Sequence, residues 1–244
     1  MLELKHISYT VESEGKPLSI LQDINLTLDG RFIAFTGPNG GGKSTLAKVI
    51  AGIIKPTEGQ ILLDGQDITD MTITERAKAG ISFAFQQPVR FKGITVKTLL
   101  DLAAGKRLSV HNACAYLSEV GLCAADYINR EVNDSLSGGE LKRIEIATVI
   151  ARGTKLSLFD EPEAGIDLWS FQNLIQVFER MHRDIRGSIL IISHQERILN
   201  IADQIVVLAA GQVQQHGAKE EILPGLLQGR SCIKTTGSCC GRKG

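Results

Sequence analysis

The sequence predicts an α/β fold with a parallel-sheet core, an N-terminal antiparallel β subdomain and an α-helical insert. The first thirty residues alternate polar and apolar side chains, as antiparallel strands do. From about Pro88 to Val132 helical spacing replaces the strand patterns, and buried strands then alternate with helices. Because strands that alternate with helices pack into a sheet covered on both faces, we expect the core strands to run parallel.

The N-terminal elements follow from alternation and turn signals. "LELKHISYTV" and "KPLSILQDINLTL" flank the turn signal "ESEG" and predict a strand pair. "RFIAFTG" (31–37) is a continuous apolar run, typical of a buried parallel strand, and a helix is predicted from about Lys43 to Ala51. "GQILLDGQDI" predicts one more strand pair, closed by the Asp64–Gly65 turn.

The second half predicts helices and buried strands in turn. The helices are expected at "LKRIEIATVIARG", "WSFQNLIQVFERMHRDI" and "QERILNIA", and the strands at "KLSLFD", "SILIIS" and "QIVVLAAG". We therefore predict one domain over residues 1–228, with a helical subdomain at about 88–150 inserted in its core. The segment 229–244 is rich in Gly, Ser, Lys and Arg, which predicts a flexible tail.

Composition narrows the function classes. The chain of 244 residues is 43% hydrophobic and 22% charged with zero formal net charge, which is typical of a globular protein and argues against a nucleic-acid partner. No apolar run reaches the roughly 18 residues of a membrane span, and the N-terminus lacks the apolar core of a signal peptide. We therefore expect a cytoplasmic protein that reaches a membrane only through a partner. Five cysteines, an odd number, do not form a disulfide framework.

The segment "GPNGGGKST" (37–45) matches the phosphate-binding loop G-x-x-x-x-G-K-[ST], after a predicted strand and at a helix start. Its glycines let successive backbone N–H groups point into one concavity, Lys43 supplies a charge for the outer phosphates, and Ser44 can reach Mg²⁺. The competing interpretation is a glycine-rich turn capped by Ser44. We predict a nucleoside triphosphate site formed by Gly37, Asn39, Gly40, Gly41, Gly42, Lys43, Ser44 and Thr45.

Two carboxylates end the predicted strand "KLSLFD". Asp160 is placed to hold Mg²⁺ through water, and Glu161 is the candidate general base for an attacking water. Judged alone, this pattern would indicate a solvated acidic turn. With the phosphate loop upstream, the catalytic interpretation is favoured.

Two further polar residues follow predicted strands and are expected at the same sheet edge, where ligands of α/β sheets bind. Gln86 follows the apolar strand at 81–85, and its amide could coordinate Mg²⁺ or position water. His194 follows "SILIIS" and could contact a γ-phosphate. As isolated residues, Gln86 could be a polar loop residue and His194 a helix cap or a satisfied core histidine.

Together these motifs resemble those of the ATP-binding cassette (ABC) ATPases. "GPNGGGKST" looks like their Walker A motif, Gln86 their Q-loop, "LSGGE" (136–140) their signature, "LSLFDEP" their Walker B motif, "AGID" their D-loop and His194 their switch histidine. The resemblance covers residues 2 to about 220 in the family's order. It implies an ATPase that uses ATP and Mg²⁺.

The resemblance also explains "LSGGE", a serine and two glycines in front of a charged helix. In this family the signature faces a second subunit's nucleotide, so two copies stack head to tail over two ATP molecules. The resemblance implies that Ser137, Gly138, Gly139 and Glu140, at a helix N-terminus, complete the partner's site in trans.

Within the family the chain is most similar to the SufC ATPases of iron–sulfur cluster assembly, on "GISFAFQQPVRFKGITV" (80–96), "SGGELKRIEI" and "ISHQERILNIADQIVVLAAGQVQQHG". It also lacks an aromatic where transporter cassettes stack adenine, since Val11 falls there, with Tyr9 two residues earlier. The resemblance implies a SufB/SufD-like scaffold and a second copy of the chain as partners. The alternative is the ATP-binding subunit of a membrane transporter.

Some residues depart from the SufC pattern. "DEPEAGID" is closer to the general ABC sequence, and Glu163 is unusual for either interpretation. The tail cysteines Cys232, Cys239 and Cys240 could transfer iron or a nascent cluster, or belong to a variable terminus with exposed thiols. Cys114 and Cys123, in apolar helical context, are expected to be packing residues.

Overall fold

The computed structural model describes residues 1–13, 15–87, 89–184 and 187–227. Pro88 and the predicted tail at 229–244, with Cys232, Cys239 and Cys240, lie outside the described residues. The strands are β1 (Leu2–Ser13), β2 (Lys16–Leu28), β3 (Phe32–Thr36), β4 (Glu58–Leu63), β5 (Gln66–Asp67), β6 (Ile81–Ala84), β7 (Leu156–Asp160), β8 (Ser188–Ile192), β9 (Gln204–Ala209) and β10 (Gln212–Ala218). The helices are α1 (Lys43–Ala51), α2 (Ile73–Ala79), α3 (Val96–Ala104), α4 (Val110–Glu119), α5 (Ala124–Tyr127), α6 (Gly138–Arg152), α7 (Leu168–Asp184), α8 (Glu196–Leu199) and α9 (Lys219–Leu227).

The strands form two sheets. A four-stranded antiparallel sheet has the order β2-β1-β4-β5, and a six-stranded sheet has the order β10-β9-β3-β8-β7-β6. Strands β6, β7, β8, β3 and β9 run parallel, and β10 pairs antiparallel with β9 at one edge. The α/β class, the parallel core and the N-terminal antiparallel sheet are confirmed, with the addition of this antiparallel edge.

Both faces of the parallel part of the six-stranded sheet are buried, which explains the continuous apolar runs of its strands. In β3, Phe32 and Ala34 pack into the core formed with the helices of the second half. Ile33 and Phe35 point to the other face and pack with α1 and the antiparallel sheet. All four residues are at most 1% exposed. The carboxyl ends of the parallel strands are thereby held at one rigid edge.

The segment between β6 and β7 is helical, as the spacing predicts, and contains α3 to α6. Cys114, on α4, is half-buried and packs against the core, as expected. Cys123 is exposed and precedes α5, so its prediction as a packing residue is wrong. In the described part of the chain, no helix combines the length and apolar character needed to cross a membrane.

Candidate functional site

The loop between β3 and α1 is the candidate phosphate-binding loop. Gly37 has a φ of 125°, and a Cβ built on it would lie 2.0 Å from the carbonyl oxygen of Leu208. Gly42, with a φ of 97°, immediately precedes Lys43, the first residue of α1. Glycine is therefore required where this loop turns closely past β9 and enters the helix. The loop borders an open cleft of about 610 Å³.

The cleft brings together most of the residues predicted from the motifs, and Ile20 of β2 lines it as well. Neither Val11 nor Tyr9 is among the described residues that line it, whereas the aliphatic side chain of Ile20 is. Ile20 lies on an unrelated strand, and no motif could have identified it. The predicted residues on the cleft wall are Asn39, Gly40, Gly41, Gly42, Lys43, Ser44, Thr45, Gln86, Glu161 and His194.

Lys43 closes the phosphate loop on itself. Its side chain is buried, and its Nζ donates to the carbonyl oxygens of Gly37 at 2.8 Å and Pro38 at 2.9 Å. Burial lowers the pKa of Lys43, and the carboxylates of Glu161 and Asp160 oppose that shift. An anion in the cleft would favour the charged ammonium further.

Ser44 and Asp160 form the candidate magnesium pair. The Ser44 hydroxyl donates to Asp160 Oδ1 at 2.9 Å, and burial raises the pKa of Asp160 while this hydrogen bond opposes the rise. Among the described residues there is no cluster of three His, Cys, Asp or Glu side chains that could hold a metal. Mg²⁺ in nucleotide sites uses one or two protein oxygen ligands plus substrate phosphates, so this hydroxyl–carboxylate pair fits it.

Glu161, Gln86 and His194 meet at the edge of the cleft. Gln86 Nε2 donates to Glu161 Oε2 at 2.7 Å, and His194 Nε2 lies 3.8 Å from Glu161 Oε1. The Glu161 side chain is 27% exposed, so water can reach the carboxylate. Burial and the nearby Lys43 lower the pKa of His194, and Glu161 opposes that shift. The arrangement presents a carboxylate and an imidazole to the same point of the cleft.

Glu163 links the loop after β7 to the loop after β8. The Ser193 hydroxyl, fully buried, donates to Glu163 Oε1 at 2.5 Å and accepts from the Gln195 N–H at 3.0 Å. Burial raises the pKa of Glu163, and its Oε2 is buried without a hydrogen-bond partner among the described residues. The sequence marks Glu163 as unusual, but Ser193 could not be identified as its partner because the two are thirty residues apart.

None of the described residues that line the cleft of this chain belongs to the signature. Ser137 caps α6: its hydroxyl accepts from the Glu140 N–H at 3.3 Å, and Glu140 Oε2 accepts from the Ser137 N–H at 2.6 Å. The other Glu140 oxygen accepts from the Tyr127 hydroxyl. The Glu140 carboxylate is thus used within the chain. The groups that remain to bind an external anion at this helix end are the Ser137 hydroxyl and the glycine N–H groups.

An apolar groove of about 200 Å³ lies beside the cleft, between the end of β6, α3 and α6. Phe85 lines this groove, while its neighbour Gln86 lines the cleft. The groove is lined by Phe83, Phe85, Val89, Phe91, Leu99, Val132, Leu141, Ile144, Glu145, Thr148 and Val149.

Comparisons with known proteins agree with this geometry. The profile of the ABC transporter family matches residues 21–164, more than half of the chain. An uncharacterized ABC transporter ATP-binding protein of Methanocaldococcus jannaschii is 42% identical over 212 residues, covering 83% of this chain and 84% of that protein. A sulfate/thiosulfate import ATP-binding protein of Synechocystis is 33% identical over 218 residues, covering 87% of this chain and 60% of that protein.

Solved structures show the same fold. A dimeric ATP-binding cassette in a post-hydrolysis state, bound to ADP and phosphate, has a TM-score of 0.80 at 24% identity, covering 90% of this chain and 99% of that one. ABC ATPase domains bind ATP with Mg²⁺ and hydrolyse it. The phosphate loop, the acidic end of β7 and these likenesses lead to one conclusion: this chain belongs to the ABC transporter family, as its ATP-hydrolysing nucleotide-binding domain.

Proposed function

We propose that this chain is the ATP-hydrolysing subunit of a membrane ABC transporter, held at the membrane by its partner. The observation that carries the proposal is the end of β6, where Phe85 lines the apolar groove and Gln86 lines the cleft. An apolar partner segment in that groove would contact the residue next to the one that binds Glu161. The import and transporter ATP-binding proteins among the relatives support this assignment.

In this proposal the reaction residues have the following roles. Glu161 takes a proton from the attacking water, and Gln86 and His194 orient that water and the γ-phosphate. Ser44 and Asp160 hold Mg²⁺, which when bound neutralises charge on the phosphate oxygens. Lys43 and the backbone of the phosphate loop bind the triphosphate.

We further propose that the working unit is a head-to-tail pair. The signature helix end, at Ser137, is absent from its own chain's cleft and offers unused N–H donors to an anion. The solved cassette of the same fold that holds ADP and phosphate is a dimer, which supports this arrangement. Two copies would each complete the other's site.

The proposal is tested by capturing the partner with groove variants of the full chain. Leu99→Asp places a charge in the groove, whereas Leu102→Asp changes a residue of the same helix that is 64% exposed. We expect wild type and Leu102→Asp to retain a multi-span membrane protein from detergent extracts of the source cells. Leu99→Asp should retain at least about tenfold less, because a buried charge in an apolar contact is costly.

Two outcomes would contradict the proposal. Equal capture by both variants would show that the groove is not the docking site, provided that ATP binding is unchanged in each. Specific capture of a soluble protein in place of a membrane protein would support the second candidate below.

The second candidate function is iron–sulfur cluster assembly on a SufB/SufD-like scaffold. One observation favours it: the segment 80–96, which carries the resemblance to SufC, also supplies Phe83, Phe85, Val89 and Phe91 to the groove. The groove residues that would determine partner specificity thus include residues of the segment that resembles SufC. We place it second because the relatives include import ATP-binding proteins.

A further inference from the structure

Helix α6 carries a buried ion pair that no part of the reaction described above uses. Lys142 Nζ lies 2.9 Å from Glu145 Oε2, and their side chains are 2% and 16% exposed. Removing two charges from water is costly, and replacing such a pair by apolar residues is often neutral or stabilising. A contribution to stability alone is therefore a weak reason for its presence.

The pair holds the backbone at the end of β6. Lys142 Nζ donates to the carbonyl oxygen of Phe85 and, at 3.5 Å, to that of Gln86. The Phe85 N–H donates in turn to Glu145 Oε1 at 3.1 Å. Both backbone polar groups of Phe85 are thus bound by one ion pair, and that fixes where the chain leaves the sheet.

The clamp formed by Lys142 and Glu145 stands between two functional surfaces. On one side, Glu145 and the Phe85 ring line the apolar groove. On the other side, the Gln86 amide donates to Glu161 Oε2 at 2.7 Å. The same helix is capped by the signature residue Ser137. A shift of α6 or of the groove wall would therefore move Gln86 relative to Glu161.

We propose that Lys142 and Glu145 are positioning residues that hold Gln86 on Glu161 and transmit movement of the groove wall to the catalytic carboxylate. The positioning part concerns the ATPase chain alone, and the transmission part rests on the proposed function. Neither residue lines the cleft, so both act through the Phe85–Gln86 backbone.

The test compares ATP hydrolysis and ATP binding in the full chain with the pair replaced. The double variant Lys142→Met/Glu145→Leu removes both charges while keeping similar volume, and its melting temperature shows whether it folds. Its Kd for ATP should stay within about threefold, whereas kcat should fall at least about tenfold because Gln86 is no longer held. A folded double variant with kcat within about twofold of wild type would overturn the proposal.

A double-mutant cycle separates positioning from general packing. If the clamp acts through Gln86, adding Gln86→Ala to the double variant should lower kcat no further than Gln86→Ala does alone. Independent, multiplicative losses would overturn the proposal. Should the double variant not fold, the single variants Glu145→Gln and Glu145→Leu test whether the clamp positions Gln86. Only the glutamine side chain can still accept from the Phe85 N–H. We then expect kcat to be kept in the first and lost in the second; equal rates would overturn the proposal.

These measurements use the chain without a membrane partner. They therefore test the positioning part independently of the capture experiment. For the transmission part, ATP hydrolysis by the free chain is compared with that of its complex with the captured membrane protein. We expect stimulation of ATP hydrolysis in wild type and its loss in the double variant. Full stimulation in the double variant would overturn the transmission part alone.

Discussion

Glu161 adopts a backbone conformation that side chains other than glycine rarely take. Its φ is 44°, in the left-handed region, which costs a non-glycine residue about 1–2 kcal/mol. The Glu161 N–H donates to the carbonyl oxygen of Ile192 at 3.1 Å, and the Ala164 N–H donates to that of Glu161 at 3.0 Å. These bonds hold the turn directly after β7, where it directs the carboxylate toward Gln86 and His194.

The electrostatics of the cleft predict how His194 titrates. Burial and the Lys43 charge lower the pKa of His194, so its ring should stay neutral at a more acidic pH than free imidazole does. Glu161 opposes the shift, so Glu161→Gln should lower the pKa of His194 further, and Lys43→Met should raise it. NMR titration of the assigned ring nitrogens in the nucleotide-free chain measures both changes.

The sign of the effect on folding follows from the same shift. Because the pKa of His194 is lower in the folded chain, its contribution to stability is present above the unfolded pKa. That contribution is lost as the pH falls through the folded pKa. A shift of His194 in the opposite direction on Glu161→Gln would contradict this electrostatic account.

Sequence predicted the site residues that follow strands but not those that meet through packing. Asp160, Glu161 and His194 each follow a buried run, and parallel strands bring such residues to one edge. Lys142 and Ser193 gave no comparable signal, because Lys142 binds the Phe85 carbonyl oxygen and Ser193 binds Glu163, contacts that depend on how separate elements pack together. Their roles could be found only from the three-dimensional contacts.

At the level of elements, the phosphate-loop helix α1 is anchored at its C-terminal end by Arg76 of α2. The guanidinium donates to the carbonyl oxygens of Val49 at 2.7 Å and Ile50 at 2.8 Å, and also to that of Thr69 at 2.8 Å. Arg76 is only 1% exposed. It thereby satisfies terminal carbonyls of the helix that follows the candidate phosphate loop, with a cation at the negative end of the helix dipole.

Arg76→Met should therefore destabilise the chain. The carbonyl groups of Val49, Ile50, Thr69 and Met71 would lose a charged donor, and we expect the free energy of unfolding to fall by about 3 kcal/mol. Lys78→Met, on the same helix at an exposed position, should change it by less than about 0.5 kcal/mol. Urea denaturation followed by circular dichroism measures both; equal effects would show that the carbonyl contacts contribute little.

Some elements are not predicted by the sequence pattern because they are short, exposed or interrupted by proline. Helix α2 is short and largely exposed, and its clearest sign is the capping box of Thr72 and Glu75. Strand β10 is mostly polar because it forms an exposed sheet edge. Helix α9 contains Pro224, which normally indicates that a helix ends. Long amphipathic or fully buried elements were predictable because burial leaves a regular pattern, whereas edges and short caps do not.

At the scale of the whole molecule, the signature and the loop at 164–167 form one surface. A Cβ on Gly139 would lie 3.0 Å from Ser170 Oγ, and one on Gly138 would lie 3.7 Å from the carbonyl oxygen of Gly165. Next to Ser170, Leu168 and Trp169 are 67% and 78% exposed. In the proposed head-to-tail pair this apolar patch would lie at or near the partner, where burial of such side chains contributes about 1.5–3 kcal/mol each.

Trp169 is the single tryptophan of the chain, so it should report the closing of the pair. Glu161→Gln removes the proposed base, so this variant should accumulate as a dimer with ATP and Mg²⁺. On dimerisation the Trp169 emission should shift to shorter wavelengths as water leaves the indole. Fluorescence and sedimentation velocity, measured together over a range of protein concentrations, test this.

Ser137→Arg added to Glu161→Gln should abolish both changes, since it blocks the signature without altering the cleft of its own chain. If Glu161→Gln remains monomeric with ATP, or forms dimers that the Ser137→Arg substitution leaves intact, then the two half-sites do not meet as proposed.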